Sequence, residues 1–437
     1  MYCYLILTGI VCLGSATIAA EPQKPVATIP TSVLEDKLRG GLLGQILGDL
    51  NGLKHEMKYI DEPGNVTSYT PALPEGAWTD DDTDIEWLYI LKIQSSKETL
   101  LSPQVIADVS RRGINRRFWC SHQYLRQLMD LGFLPPQTGS LTFNPWADFN
   151  LSGQFVSETW GLISPGMPQT AARIGAQYTH VSVDGEPIQS TQLFASMIAT
   201  AYVTSDIQKI LDVGAASVDP KSTMSKVLAD VRAWHKQFPN DWRATRQKIK
   251  DKYTYYGGHD ERDRNGVIVN GACTIAALLY GNGDYVETVR NAFNFGWDAD
   301  NNAATSGTIL GVVKGQAWMQ KQGWRILDRF KNTSRDNVPE DETITILGDR
   351  IWAIAKQVIS DHGGKLIESD GAPAYQIRTE RPGLVEPFGG GAQQTEQYRR
   401  ELLPRAERTI WANSGDRQAL ARAAYIAICL DAAPALE

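Results

Sequence analysis

The stretch Gly40-Gly41-Leu42-Leu43-Gly44-Gln45-Ile46-Leu47-Gly48-Asp49-Leu50-Asn51-Gly52 decides the fold class. Leu42, Leu43, Ile46, Leu47 and Leu50 recur at helical spacing. Gly44, Gly48 and Gly52 fall at i, i+4 and i+8, which leaves one helix face bare and suited to close packing against another helix. The run lacks the Lys-Ser/Thr of a phosphate-binding loop, and no strand leads into it, so a nucleotide loop is disfavoured. Asp49 and, just beyond, Glu56 are the groups near this seam with chemistry to offer.

Working outward, helical patterns dominate from residue 32 to about 363. Ile85, Leu88 and Leu91, with Trp87 and Ile90, make a helix apolar around most of its circumference, hence buried. Further helices are expected over residues 190–203, 220–238, 270–280, 284–295, 301–321 and 343–362. Only residues 178–183 suggest a short extended piece. The reading is all-α. Residues 21–31 form a polar, Pro-containing leader expected to be a loose arm. Around residues 364–394 the composition turns to Pro, Gly and polar side chains, with Gly389-Gly390-Gly391 as punctuation. Two short amphipathic helices follow, near 395–403 and 416–430. The chain thus divides into a main domain, 32–363, and an extension, 364–437, either docked on it or partly mobile. No repeat of 20–50 residues is evident.

Composition narrows the function classes. At 437 residues the chain can bury a full core, and 42% hydrophobic with 21% charged residues is ordinary for a soluble globular protein. A net charge of −7 without a Lys/Arg stripe argues against a nucleic-acid partner. Residues 1–20 carry no charged side chain, read apolar from Tyr4 to Leu13, and end in small residues up to Ala20. That is the pattern of a signal peptide cleaved near Ala20, although its n-region lacks Lys and Arg. Gly9-Ile10-Val11 before Cys12 fits a lipoprotein poorly, and the run is short for a membrane anchor, the competing reading. The expectation is a secreted or periplasmic protein with no membrane association after cleavage. Cys120, Cys273 and Cys429 would remain, an odd number without metal-ligand spacing. The six histidines include no pair at i, i+3 or i, i+4, which disfavours a zinc helix.

Two acidic stretches carry the chemistry. In Trp78-Thr79-Asp80-Asp81-Asp82-Thr83-Asp84-Ile85-Glu86, Thr79 is a good N-cap, and aspartates in a first turn complement the helix dipole. Yet Asp80/Asp84 and Asp82/Glu86 are like-charge i, i+4 pairs, and on a buried helix such a cluster needs a cation. The second stretch lies more than 200 residues on: Gly296-Trp297-Asp298-Ala299-Asp300-Asn301-Asn302-Ala303-Ala304-Thr305-Ser306-Gly307. Alone it reads as an Asp/Asn-rich turn. Two acidic helix starts, both behind a Trp, are better explained by one shared site. Oxygen ligands without His or Cys point to magnesium, manganese or calcium.

These three stretches resemble the ADP-ribosylglycohydrolase family. Its pattern is a Gly-rich helix ending Gly-Asp-x-x-Gly with a Glu four residues on, then Thr-Asp-Asp, then Gly-x-Asp-x-Asp-Thr-x-Ala-Ala. The matching residues are Gly48–Gly52 with Glu56, Thr79-Asp80-Asp81, and Gly296 through Ala304. Trp160 through Gly166, then Thr179-His180, resemble the family's central region more loosely. The resemblance implies an all-α orthogonal helical bundle with two Mg2+ or Mn2+ ions at its centre, here with a short C-terminal extension. It implies Thr79, Asp80, Asp81, Asp298, Asp300 and Asn301 as ligands, and Glu56 as the carboxylate guarding the entrance or acting as acid/base. Asn301 stands where Thr or Ser is usual, and its carbonyl oxygen can still ligate. Asp82 stands where Thr is usual, which leaves the register of the cluster open by one residue.

The reaction so implied is metal-assisted hydrolysis of a glycosidic bond. Asp300 or Asp81 would take a proton from the attacking water, with Glu56 assisting the leaving group. Trp78, Trp297 and His180 are the expected substrate contacts. Three readings of function remain: hydrolysis of an ADP-ribosyl bond, hydrolysis of pentofuranosyl or other O-glycosides of polysaccharide outside the cell, and a non-catalytic binding relative. The paired acidic motifs disfavour the last.

Overall fold

A computed structural model describes residues 25–431 apart from 115, 117–118, 255–264, 388–389 and 413–414. The expected signal segment lies outside the described residues. In chain order they form β1 (Val26–Pro30), α1 (Thr31–Gly52), β2 (Ala77–Trp78), α2 (Asp81–Ser96), α3 (Pro103–Gly113), α4 (Cys120–Asp130), α5 (Ser152–Phe155), α6 (Glu158–Leu162), α7 (Pro168–Thr179) and α8 (Glu186–Ala201). Next come α9 (Ile207–Ser217), α10 (Thr223–Gln237), α11 (Trp242–Tyr253), α12 (Val267–Gly281), α13 (Tyr285–Phe295), α14 (Ala299–Lys314) and α15 (Gln316–Gln320). The chain closes with β3 (Phe330–Lys331), β4 (Asp341–Glu342), α16 (Ile344–Asp361), β5 (Lys365–Ser369), β6 (Ala372–Arg378), α17 (Gly390–Trp411) and α18 (Arg417–Cys429). The fold is all-α, with two small three-stranded sheets at its edges. Among the described residues no helix is long and apolar enough to cross a membrane.

The bare face of α1 finds its partner in α14, and the two run antiparallel. A Cβ on Gly44 would lie 2.2 Å from Gly307 O, one on Gly48 2.2 Å from Ala303 O, and one on Gly52 2.4 Å from Asp300 Cα. Backbones this close leave no room for a methyl group at any of the three positions. The seam ends by setting the last turn of α1, with Asp49, against the first turn of α14, with Asp300. Around it α2, α8 and α12 are buried nearly all round: Trp87, Phe194 and Cys273, one from each, are fully enclosed.

Three expectations are corrected. The leader is not loose: Val26–Pro30 pairs antiparallel with β6, from Val26 opposite Arg378 to Pro30 opposite Ala374, and β6 pairs in turn with β5. Residues 178–183 are not extended; α7 runs to Thr179, and Val183 N–H donates to Thr179 O at 3.1 Å in the turn that follows. The first tail helix, α17, is longer than expected, and of the two alternatives left open for the extension the structure has it docked. Tyr398, Ala406, Ala423, Ile426 and Leu430 bury themselves against Leu128, Phe133 and Phe143. Tyr425 also donates its hydroxyl to Phe143 O at 2.6 Å. Burying three aromatic rings and several aliphatic side chains there is worth several kcal/mol, roughly 1.5–3 kcal/mol for each large one.

Candidate metal centre

Strand β2 delivers the first acidic stretch. It pairs in parallel with β3, and Thr79 N–H donates to Lys331 O at 2.9 Å, which fixes where the chain enters α2. The N-cap is Asp80, not Thr79. Its backbone is extended, its main-chain oxygen accepts Asp84 N–H at 2.8 Å, and its carboxylate takes no capping bond. The hydroxyl of Thr79 is spent elsewhere, accepting Thr333 N–H at 2.7 Å and meeting Ser334 Oγ at 2.9 Å. Thr79 therefore anchors the strand–helix junction, its hydroxyl held by the 333–334 loop at the edge of the cavity that Asp80 and Asp81 line.

Those carboxylates come from three helices and one cap. Asp49 of α1, Asp80, Asp82 of α2 and Asp300 of α14 each bring an oxygen within 4.8 Å of the others. The two acidic stretches meet as expected, with Asp49 and Asp82 added. Asp82, rather than Asp81, joins this group, and Asn301 donates its Nδ2–H to Asp82 Oδ1 at 2.8 Å across the seam. Both oxygens of Asp49, Oδ2 of Asp82, Oδ1 of Asp300 and Oδ1 of Asn301 are buried without a hydrogen-bond partner. An unpaired buried carboxylate costs several kcal/mol. Burial first, and then mutual repulsion, pushes Asp49, Asp82 and Asp300 well above the usual carboxylate range. The N-termini of α2 and α14 offset part of this with their positive dipole ends. Five orphaned oxygens of hard donor type fit a divalent cation such as Mg2+ or Mn2+.

The neighbouring carboxylates sort by partner. Asp84 has a cation of its own: Arg335 Nε stands 2.8 Å from Oδ2 in a fully buried pair, and Ser334 Oγ donates to the same oxygen at 2.6 Å. Burial still lifts Asp84 to about 6, against the pull of Arg335. One turn deeper, Glu86 accepts Thr159 N–H at 2.9 Å and Gln45 Nε2–H at 3.1 Å, and Thr305 donates to Glu158. Burial pushes Glu158 up to about 7. Asp81 lines a cavity of about 260 Å³ together with Thr79, Asp80, Asp84, Trp119, Ser334 and Arg335. Asp298 gives its Oδ2 to Asn265 Nδ2–H at 2.6 Å and lies outside the group of four.

Glu56 sits on the turn after α1 with an exposed side chain. Partial burial of its carboxyl, then Asp298 and Asp80, push it up to about 7. Its turn is stitched to the second acidic motif, since Met57 N–H donates to Trp297 O at 2.7 Å.

The expected substrate contacts fare differently. Trp297 is 0% exposed, turned inward by a positive φ of 54° and covered by the Arg246 guanidinium 4.6 Å from its ring, so it cannot face a ligand. His180 belongs to another cavity, lined also by Leu141, Gln189 and Glu386, and its Nε2 lies 3.5 Å from Asp184. Trp78 is 38% exposed on β2 but is not among the residues lining the acidic cavity. The aromatic ring that does line it is Trp119, which no motif marked. Arg335 was equally hidden, in a loop without pattern, whereas Asp49 lies inside a quoted motif.

No curated protein matches the chain. A sequence model of the ADP-ribosylglycohydrolase family matches residues 30–361, from the last residue of β1 to the end of α16, and takes in every carboxylate of the centre. The chain belongs to the ADP-ribosylglycohydrolase family, hydrolases of glycosidic bonds.

Proposed function

We propose that this protein is an exported, divalent-metal-dependent hydrolase that releases ADP-ribose from a modified side chain. The observation that carries the metal dependence is the set of five buried oxygens without hydrogen-bond partners on Asp49, Asp82, Asp300 and Asn301. These four, with Asp80, would hold the first of two Mg2+ or Mn2+ ions, and Asp81 and Asp298 are the carboxylates at hand for the second. Bound there, such ions supply charge that fixes vicinal ribose hydroxyls and acidifies a water.

The side chains then divide the work. Asn301 turns its N–H to Asp82 and so holds that carboxylate in place. This gives the substitution of Thr or Ser by Asn a physical role: the amide orients one ligand while its own oxygen remains available. Glu56, on the turn after α1, has a partly buried carboxyl pushed up to about 7 in the metal-free protein, and is the group placed to give a proton to the leaving group. Asp81 lines the cavity and can take the proton of the attacking water. The Trp119 ring offers an apolar wall for a sugar or base face. Export rests on residues 1–20, and sequencing the amino terminus of the mature protein from culture fluid or periplasm tests it.

The decisive assay incubates purified protein with Mn2+ or Mg2+, and with EDTA, against ADP-ribosylated arginine and serine peptides and against pentofuranosyl glycans. Metal-dependent release of ADP-ribose is the expected result. Free pentose alone would move the enzyme to the glycan reading. Silence on both panels with tight metal binding would make it a non-catalytic relative.

A further inference from the structure

Behind Asp298 runs a row of side-chain amides that the proposed reaction leaves unused. Asn270, fully buried in α12, accepts Asp298 N–H on Oδ1 at 3.0 Å and Asn302 Nδ2–H on the same oxygen at 2.9 Å. It donates from Nδ2 to Gly266 O at 3.0 Å and to Asn265 Oδ1 at 2.9 Å. Its full hydrogen-bonding capacity is used. Its orientation is dictated by chemistry, because a main-chain N–H only donates and a main-chain carbonyl only accepts.

That constraint passes down the row. Asn265, its Oδ1 taken by Asn270, must turn Nδ2 outward, and there it meets Asp298 Oδ2 at 2.6 Å. Asn302, its Nδ2 shared between Asn270 Oδ1 and Gly296 O at 3.2 Å, turns Oδ1 to Thr274 Oγ1 at 3.0 Å and Gln154 Nε2 at 3.3 Å. Flipping any one amide would set donor against donor and leave buried groups unpaired. Asp298 is therefore gripped at two atoms, its main-chain nitrogen directly by Asn270 and its Oδ2 through Asn265.

We propose that Asn270 is a positioning residue of the metal centre, which sets the direction in which Asp298 presents its remaining oxygen to a cation. This rests on the metal reading of the acidic group. A side chain kept only for packing would leave no route from α12 to the Asp298 carboxylate, whereas this row ends on it.

The test compares Asn270→Ala and Asn265→Ala with the wild type, by titration calorimetry with Mn2+ and by thermal melting in EDTA and in Mn2+. Both variants are expected to lose roughly 10- to 100-fold in Mn2+ affinity, as when a partner that orients a metal ligand is removed. Both should show a smaller metal-induced rise in Tm. Asn265→Ala, at the partly exposed end of the row, should melt like the wild type in EDTA. It decides the matter alone if Asn270→Ala does not fold. Wild-type Mn2+ affinity in Asn265→Ala, and in any folded Asn270→Ala, would make Asn270 a structural residue and overturn the proposal. A wild type that binds no Mn2+ would overturn the metal centre itself and this role with it.

Discussion

Replacing Gly52 by Ala tests whether the helix seam sets the geometry of the acidic centre. The new methyl carbon would lie 2.4 Å from Asp300 Cα and 2.8 Å from its Cβ. Carbon atoms settle at about 3.5–4.0 Å, so the first turn of α14 must retreat by about 1–1.5 Å. Metal–oxygen distances tolerate about 0.2 Å, so Asp300 leaves the group unless the strain is relieved on binding. Overpacking of this kind costs about 1–3 kcal/mol. Charged against metal binding, that is a loss of roughly 5- to 150-fold in Mn2+ affinity. Titration calorimetry reads it, with circular dichroism confirming the fold. Gly40→Ala is the control: its methyl carbon would lie 2.5 Å from Gly311 O, so it carries a similar strain. It sits three turns away, about 18 Å along the helix. It should lower Tm by a few degrees and leave the affinity alone. Equal Mn2+ affinity in Gly52→Ala and wild type, or equal losses in both variants, would refute the reasoning.

Three further outcomes are expected. Glu158 is raised from 4.5 to about 7 in the folded, metal-free protein, so that state binds a proton the unfolded chain has released. Its contribution is full below about pH 4.5 and is lost as pH rises through about 7. Melting in EDTA should accordingly be lower at pH 8 than at pH 5.5, and Mn2+ should restore stability at pH 8; a rise with pH in EDTA would contradict this. Arg335→Met strands Asp84 in the interior and should cost about 3–5 kcal/mol in urea unfolding, with Asp84→Asn in the same chain recovering much of it. Thr79→Val removes a hydroxyl committed to Thr333 and Ser334, so it should cost about 1 kcal/mol of stability and leave Mn2+ affinity unchanged. A large loss of affinity instead would return Thr79 to the ligand set.

What the sequence disclosed follows the range of the interactions concerned. The helical class was legible because a period of 3.6 residues is written locally, and the glycines at every fourth position announced a close neighbour. That neighbour proved to be α14, itself rich in small residues. Like-charge crowding from Asp80 to Glu86 pointed to the place where Asp80 and Asp82 converge with Asp49 and Asp300. Features set by distant pairing stayed hidden. Five residues before α1 carry no mark of a strand partner in β6, almost 350 positions away. The inward turn of Trp297 follows from two successive positive φ values at Gly296 and Trp297, since a Cβ at Gly296 would lie 1.8 Å from Tyr59 O. Thr79 looked like a cap until β2 and the 332–334 loop claimed its hydroxyl. His180 fell away because the C-terminal extension builds a separate cavity over it.

The meeting of Asp49 with Asp300 also bears on how the protein is made. The two aspartates are about 250 residues apart in the chain, on helices that touch from Gly40 to Gly52 of α1. A growing polypeptide therefore displays α1 as a bare-faced helix, with three of the four converging carboxylates, until α14 has emerged. Contacts of such long sequence separation form late and slowly. No fragment ending before α14 can own the centre, so metal uptake reports a finished fold and a chelator added during refolding should leave the last step without its reward.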